Sequence, residues 1–318
     1  MRRQIRRLMV GITGLVTVGA LAACGGGGVA TGSVSNDLDG AKFSIGAKDF
    51  SEQSILAEIT AQLLRAHGAE TEVKEIKGSV NTRKALESGE ISMYWEYTGT
   101  AWITYLQQTT PIPDAEQQYA EVAAQDLEKN KIKWFSPADF NNTYALAVSN
   151  KKAQELGVSK LSDLAALAES KPEAMTFCIE SEFSIRDDGF PGMTKAYGID
   201  PAKENIRMLD TGLIYTEVAK AESCVFGEAF ATDGRIAALD LLVLEDDKNF
   251  FPIYEGAVTM KEETLAANPK LESILAPLAE KLDTTTMQSL NAKVDVDGED
   301  PIDVAEEWLT QVGLVNAS

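Results

Sequence analysis

From Lys42 onward the chain alternates short apolar runs with longer stretches whose apolar residues recur every three or four positions. Phe43 and Ile45 lie two apart, as on a strand with one buried face. Ser51 then opens a helical pattern with Glu52 in its first turn. Ile55, Leu56, Ile59, Leu63 and Leu64 share one face, and Gly68 stops the helix just after His67. Further strands are predicted at 72–76, 91–95, 143–148, 174–179, 206–209, 223–226 and 241–244. Helices are predicted between them near 82–88, 115–130, 162–169, 190–197, 213–221 and 232–239. Asp114, with Gln117 three residues on, predicts a capped start for the long one. After Leu244 the pattern turns to helix, at 261–267, 270–282, 285–293 and 302–312. Asp300, Pro301 and Asp303 supply a cap, a first-turn proline and a dipole-facing acid for the last.

Alternation of strand and helix on this scale predicts an α/β protein with largely parallel sheets. The chain is long enough for one large or two ordinary domains, yet it reads as three blocks. One arrangement reconciles them: the chain leaves lobe one, builds lobe two and returns. Residues 41–142 plus 252–318 then form lobe one and 143–251 form lobe two, with crossings near 141–144 and 250–254.

The first 24 residues follow another pattern. Arg2, Arg3, Arg6 and Arg7 precede an apolar run from Leu8 to Ala23 that holds no acid and is too short for a confident transmembrane helix. A basic start, a short apolar core and small residues before the cut read as a secretory signal over 1–23. Leu21-Ala22-Ala23-Cys24 resembles a lipobox, so Cys24 is the expected lipidation site, and the anchor outside the cytoplasmic membrane would be its acyl chains. Residues 24–40, rich in Gly, Ser and Asn, read as a flexible tether. Gly25-Gly26-Gly27-Gly28 is no phosphate loop, since no Gly-Lys-Ser/Thr follows.

Charge narrows the partners. The chain carries 29 Lys+Arg against 49 Asp+Glu. Removing the four arginines of 1–23 leaves 25 against 49, a net of −24. Such a surface repels nucleic acid and anionic headgroups, so neither is an expected partner. Cys178 and Cys224 lie in short apolar stretches and could persist as a disulfide in an oxidising compartment; two inert buried thiols are the alternative.

Catalysis finds little support. A nucleophilic triad needs a base beside a Ser or Cys, and the single histidine sits on an early amphipathic helix. Asp295, Asp297, Glu299, Asp303 and Glu306 have calcium-loop-like intervals but lack the sixth-position glycine and carry Pro301 at the seventh. A solvated helix entrance explains them better, and no metal or cofactor is expected. Glu245-Asp246-Asp247 reads as a loop. The aromatic residues say more. Trp95-Glu96-Tyr97-Thr98-Gly99-Thr100 places a tyrosine, two hydroxyls and a glycine after a strand, where open α/β sheets hold their ligands. Tyr144 and Tyr254 lie at the two crossings, and Phe230 precedes Thr232-Asp233-Gly234-Arg235. Any one ring could be core; together they suggest a cleft lined with rings.

In order along the chain, Ile45-Gly46-Ala47-Lys48-Asp49-Phe50-Ser51-Glu52-Gln53, Trp95–Thr100, Asn142-Thr143-Tyr144-Ala145-Leu146-Ala147-Val148, Arg186-Asp187-Asp188-Gly189, Thr232-Asp233-Gly234-Arg235-Ile236 and Leu244-Glu245-Asp246-Asp247-Lys248 resemble the osmoprotectant-binding proteins of ABC importers. The resemblance implies a two-lobed periplasmic-binding-protein fold, type II-like, with a ligand cleft between the lobes and no catalysis. It implies a quaternary ammonium ligand (glycine betaine, choline, carnitine or proline betaine), an ABC permease with its ATPase subunits as partners, and a monomer. By matched position it puts the cation cage on Tyr97, Tyr144, Phe230 and Tyr254, and the carboxylate-binding groups on Lys48, Thr100 and Arg186. Phe230 departs from the tyrosine often expected there, keeping the π face and losing a hydroxyl. The competing readings are a surface-tethered α/β enzyme and a binder of an amino acid or polyamine. The latter would want carboxylates in the cleft, and the matched positions supply none.

Overall fold

The computed structural model describes residues 36–316. The signal at 1–23, the lipidation site Cys24 and the tether up to residue 35 lie outside the described residues. Among the described residues no helix is long and apolar enough to cross a membrane.

Ten strands form two sheets of five. In chain order they are β1 (Lys42–Lys48), β2 (Glu70–Ile76), β3 (Met93–Tyr97), β4 (Ile132–Trp134), β5 (Tyr144–Ser149), β6 (Phe177–Ile179), β7 (Ile206–Met208), β8 (Phe226–Phe230), β9 (Leu241–Val243) and β10 (Gly256–Lys261). The first sheet runs β2-β1-β3-β10-β4 and the second β7-β6-β8-β5-β9. Four strands in each point the same way, and one antiparallel strand, β10 or β5, is inserted among them. The expectation of largely parallel sheets thus holds for strand direction, and the departure is confined to the two antiparallel pairs each inserted strand makes. The inserted strand is in each case the first strand after a passage from one sheet to the other, so it enters against its neighbours.

The helices sit near their expected places: Ser51–Ala66, Ala115–Asn130, Phe190–Tyr197, Leu271–Lys281, Thr284–Asp295 and Pro301–Gln311. Asp114 accepts the Gln117 N–H at 2.8 Å and Asp300 that of Ile302 at 2.9 Å, so both expected caps form. Ser51 does not cap its helix. Phe50 holds the cap position without a side-chain bond, and the Ser51 hydroxyl donates to Asp295 Oδ1.

Two strands run further toward the carboxyl end than the apolar pattern predicts. β3 continues past Trp95 to Tyr97, and β8 reaches Phe230 rather than stopping at 226. Glu96 and Glu228 interrupt the apolar runs, yet both side chains are buried. Glu96 is met by Lys48 Nζ at 2.5 Å, by the hydroxyls of Tyr94 and Tyr105, and by the Tyr97 N–H. β4 and β10 were hidden by the helical composition around them, as was the helix Asn150–Leu156.

Cys178 closes on β6 with Cys224 just before β8, the Cα atoms 5.7 Å apart in a disulfide. Ile214, Tyr215 and Val218 pack around the pair. The bridge closes a sequence separation of 46 residues, which the chain-entropy model values at about 4 kcal/mol. Labelling of the unfolded, unreduced protein is expected to find neither cysteine reactive. Cys178→Ser is expected to lose about 2–4 kcal/mol of unfolding free energy in denaturant titration. Stoichiometric labelling of both thiols would refute the bridge.

Candidate ligand-binding site

The carboxyl ends of the parallel strands and the amino ends of the inserted ones face the same place. Lys48 ends β1, Tyr97 ends β3, Phe230 ends β8 and Tyr144 begins β5, while Tyr254 lies two residues before β10. Tyr144 pairs in register with Phe230, and Gly256 with Tyr97. Lys48, Tyr97, Thr100, Tyr144, Phe230 and Tyr254 accordingly line one cavity of ≈ 590 Å³, counting its open mouth. A ligand pocket outside the strand ends is what open α/β sheets offer.

The rings form a continuous wall. Tyr144 meets Phe230 at 5.3 Å between centroids and Tyr254 edge-on at 5.4 Å. Phe50, which the sequence reading missed, joins them: it stacks on Phe230 at 5.3 Å and 15°, and on Tyr97 at 6.3 Å. It immediately precedes the helix Ser51–Ala66. Gly99 serves close approach. A Cβ there would come within 2.7 Å of the Tyr254 ring and 2.8 Å of the Ile253 carbonyl.

Behind the wall lies Glu52, buried on the helix Ser51–Ala66. Its Oε1 accepts the Tyr97 hydroxyl at 2.7 Å and the Asn142 amide at 2.8 Å. Its Oε2 accepts the Thr232 hydroxyl at 2.5 Å and the Asn291 amide at 2.9 Å. Burial pushes its carboxyl above the ordinary range, against the pull of these donors. Thr232-Asp233-Gly234-Arg235 works here as a contact between the two bodies. Arg235 pairs with Asp233 at 2.5 Å and reaches Asp295 at 3.5 Å, and Gly234 packs so close that a Cβ would lie 2.5 Å from the Ala292 Cα. Asp295, the first of the calcium-like acids, is thus engaged by Arg235 and Ser51.

The expected carboxylate-binding groups divide. Lys48 lines the cavity, with its ammonium on Glu96 and 5.0 Å from the Tyr97 ring centroid. Thr100 also lines it. Arg186 does not. Its fork closes on its neighbour Asp188, Nε to Oδ1 at 2.7 Å and Nη2 to Oδ2 at 2.5 Å, and Nη1 donates to Glu182 at 2.8 Å. The guanidinium lies 5.5 Å from the Tyr144 ring centroid, and Tyr254 donates its hydroxyl to the same Asp188 at 2.6 Å. Arg186 therefore braces two of the rings that line the cavity, Tyr144 directly and Tyr254 through Asp188.

The absence of carboxylates from the cleft is also corrected: Asp49, Glu180, Glu182 and Glu228 line the cavity. Glu228 accepts the Glu180 N–H at 2.7 Å. Burial, and then the nearby Glu180 and Glu182, push its carboxyl up to about 8 against the Glu180 N–H and Arg186. Burial also opposes ionisation of Glu182, but Arg186, Lys48 and the Ser79 N–H outweigh it and hold that carboxyl below the usual range. In a chain with 49 acidic residues, no composition signal marks these four.

Residues 41–311 match the family model described as the substrate-binding domain of the ABC-type glycine betaine transport system (OpuAC), and the chain belongs to that family. It is 38% identical over 277 residues to the glycine-betaine-binding protein of Pseudomonas aeruginosa, covering 86% of this chain and 88% of that one. It is 33% identical over 284 residues to the ergothioneine transport permease/ergothioneine binding protein EgtU of Helicobacter pylori, covering 88% of this chain and 49% of that one. Its fold matches the crystal structure of a glycine betaine/carnitine/choline ABC transporter with a TM-score of 0.68 at 30% identity, over 86% of this chain and 99% of that one. The chain is a two-lobed α/β substrate-binding protein of an ABC importer and not an enzyme.

Two outcomes test this geometry. Glu52→Ala strands four buried donors, each worth about 1–3 kcal/mol when unmet, and is expected to lower unfolding free energy by more than about 3 kcal/mol. A loss below about 1 kcal/mol would show that the four donors find other partners. Glu228 is protonated more readily folded than unfolded, so its contribution is fully present below the unfolded value of 4.5 and is lost as pH rises through about 8. Wild type is therefore expected to lose more stability than Glu228→Gln between pH 6 and 9; parallel profiles would place this carboxyl near its ordinary value.

Proposed function

We propose that this chain captures a quaternary ammonium solute, glycine betaine or a relative such as choline or carnitine, on its ring wall and delivers it to an ABC permease and its ATPase subunits. One observation carries the reading: five rings contributed from both sheets converge on one cavity at the strand ends. A trimethylammonium group has no N–H, so hydrogen bonds cannot hold it. Ring faces can, at about 0.5–2 kcal/mol each when desolvated. Tyr97, Tyr144, Phe230 and Tyr254 form the cage, with Phe50 as a fifth ring. Lys48 and Thr100 meet the other end of the ligand, and Arg186 acts through Tyr144 and Tyr254.

In this reading 41–142 plus 252–318 make lobe one, 143–251 make lobe two, and the ligand is gripped where Phe50 of one faces Phe230 of the other. The protein works outside the cytoplasm as a monomer, tethered by lipid on Cys24. A small ligand can bind well here. The best tiny ligands reach about −1.5 kcal/mol per heavy atom, and a micromolar dissociation constant needs only roughly −8 kcal/mol.

Calorimetric titration with glycine betaine, choline, carnitine and ergothioneine tests the proposal. At least one is expected to bind near micromolar, and Phe230→Ala is expected to weaken every quaternary amine that binds by about 5–30-fold. Phe230 suits this test because its ring has no hydroxyl, so no side-chain hydrogen bond is lost with it. Silence from the whole panel at millimolar concentration would overturn the reading.

A further inference from the structure

The charges on the cavity wall are unbalanced. Lys48 is the one cation among its described lining residues, and Glu96 already holds it at 2.5 Å. Against it stand Asp49, Glu180, Glu182 and Glu228. Of the other cations nearby, Arg186 makes three hydrogen bonds to Asp188 and Glu182, and the exposed Lys77, off the lining, lies 4.0 Å from Asp49 and 3.9 Å from Asp210. The unmet polar atoms are of one kind. Asn142 lines the cavity with its amide donating to Glu52, and its buried Oδ1 has no hydrogen-bond partner among the described residues. Glu228, also on the lining, accepts the Glu180 N–H through Oε2. Buried acceptors call for donors, and a surplus of negative charge calls for a cation.

Resting on the ring-cage reading above, we propose that the acidic wall of Glu180, Glu182 and Glu228 makes this cavity select a net-cationic quaternary ammonium ligand with hydrogen-bond donors at its far end over a zwitterion ending in a carboxylate. The rings take the trimethylammonium group, which both kinds of ligand share. Discrimination arises at the other end. A hydroxyl or N–H there can donate to Glu228 or to the Asn142 oxygen. A carboxylate would enter among like charges with no free cation to receive it. The hydroxyls of Thr100 and Thr211, also on the lining, can rotate to serve either ligand and do not decide between them.

Protonation sharpens the distinction. The groups facing Glu228 are Glu180 and Glu182, which raise its carboxyl, and Arg186, which lowers it; Tyr144 faces it from β5 and, pushed well above 10 by burial, stays neutral. A bound cation stabilises the ionised form of Glu228, so binding releases a proton and affinity rises with pH up to about 8. If a neutral Glu228 instead donated its O–H to a ligand carboxylate, the zwitterion's affinity would fall across that window.

The experiment is titration of the wild-type protein and Glu228→Gln with choline and with glycine betaine, at pH 6, 7.5 and 9. Choline is expected to bind wild type more tightly than glycine betaine and to gain affinity with pH by no more than tenfold per unit. Glu228→Gln is expected to weaken choline by about tenfold, flatten its pH profile and leave glycine betaine within about threefold. Glycine betaine binding as tightly as choline, or losing affinity as pH rises, overturns the selectivity and leaves the cage reading standing. Equal losses for both ligands in Glu228→Gln show a structural role and also overturn it. Binding of neither ligand, but of another quaternary amine that ends in a carboxylate, does the same. Silence from every quaternary amine removes the cage reading and this inference with it.

Discussion

A buried carboxylate without a cation among its hydrogen-bond partners, Glu52, sets the geometry on which the cavity depends. Its four donors come from the end of β3, from the passage into β5, from the segment after β8 and from the helix Thr284–Asp295. Those positions belong to both sheets, to the first passage between them and to a carboxyl-terminal helix. A charge in a low-dielectric interior is tolerated only when its lone pairs are met, so the four groups have little freedom to move independently. The ring of Tyr97 is fixed by this bond and by the Gln53 amide at 3.0 Å, before any ligand arrives. The same carboxylate ties Thr232 of one body to a helix packed against the other. Ring placement and contact between the bodies therefore share one anchor.

Lys48, Arg186 and Arg235, cations near the rings, are each held by a partner of the chain's own. Lys48 sits on Glu96, Arg186 on Asp188 and Glu182, Arg235 on Asp233. These pairs do not add simply to stability, because removing two charges from water opposes their attraction. What they do is orient. Glu96 also receives Tyr94, Tyr105 and the Tyr97 N–H, and Asp188 also receives Tyr254. The wall thus presents π faces inward while the hydroxyls of Tyr97 and Tyr254 point away to buried acids. Phe230 fits the same logic. Its ring lies between Phe50 and Tyr144, and a hydroxyl is not needed where neighbours on both sides are rings.

Much of this was legible in the sequence, for identifiable reasons. Helical periodicity is repeated over many residues, so the helices and the caps at Asp114 and Asp300 could be read directly. Tyr97, Tyr144, Phe230 and Tyr254 were legible because rings at strand ends and crossings are unusual. The failures have a common cause in buried acids. Glu96 and Glu228 broke the apolar runs of β3 and β8, and a carboxylate in sequence gives no sign of whether its partners lie near it in space. Arg186 is the instructive exception. Its partner Asp188 is two residues away and visible in the string, yet the arginine was read for the ligand before its neighbour was counted. Phe50 was hidden because a residue just before a helix has an ordinary explanation.

The two buried carboxylates that face opposite sides of the ring wall differ in how fully they are met. Glu52 has four donors. Glu228 has one, the Glu180 N–H, and two acids close by. Burial raises the carboxyl in both, but only at Glu228 do acids on the cavity wall itself add to the rise. A buried group surrounded by donors is finished chemistry: it holds a structure and asks nothing of a ligand. A buried group with one such donor among the described residues, on the lining of an open cavity, has acceptor capacity left for whatever enters. The fold places the first in the opening turn of the helix after β1, where it fixes Tyr97, and the second midway along β8, where it lines the cavity.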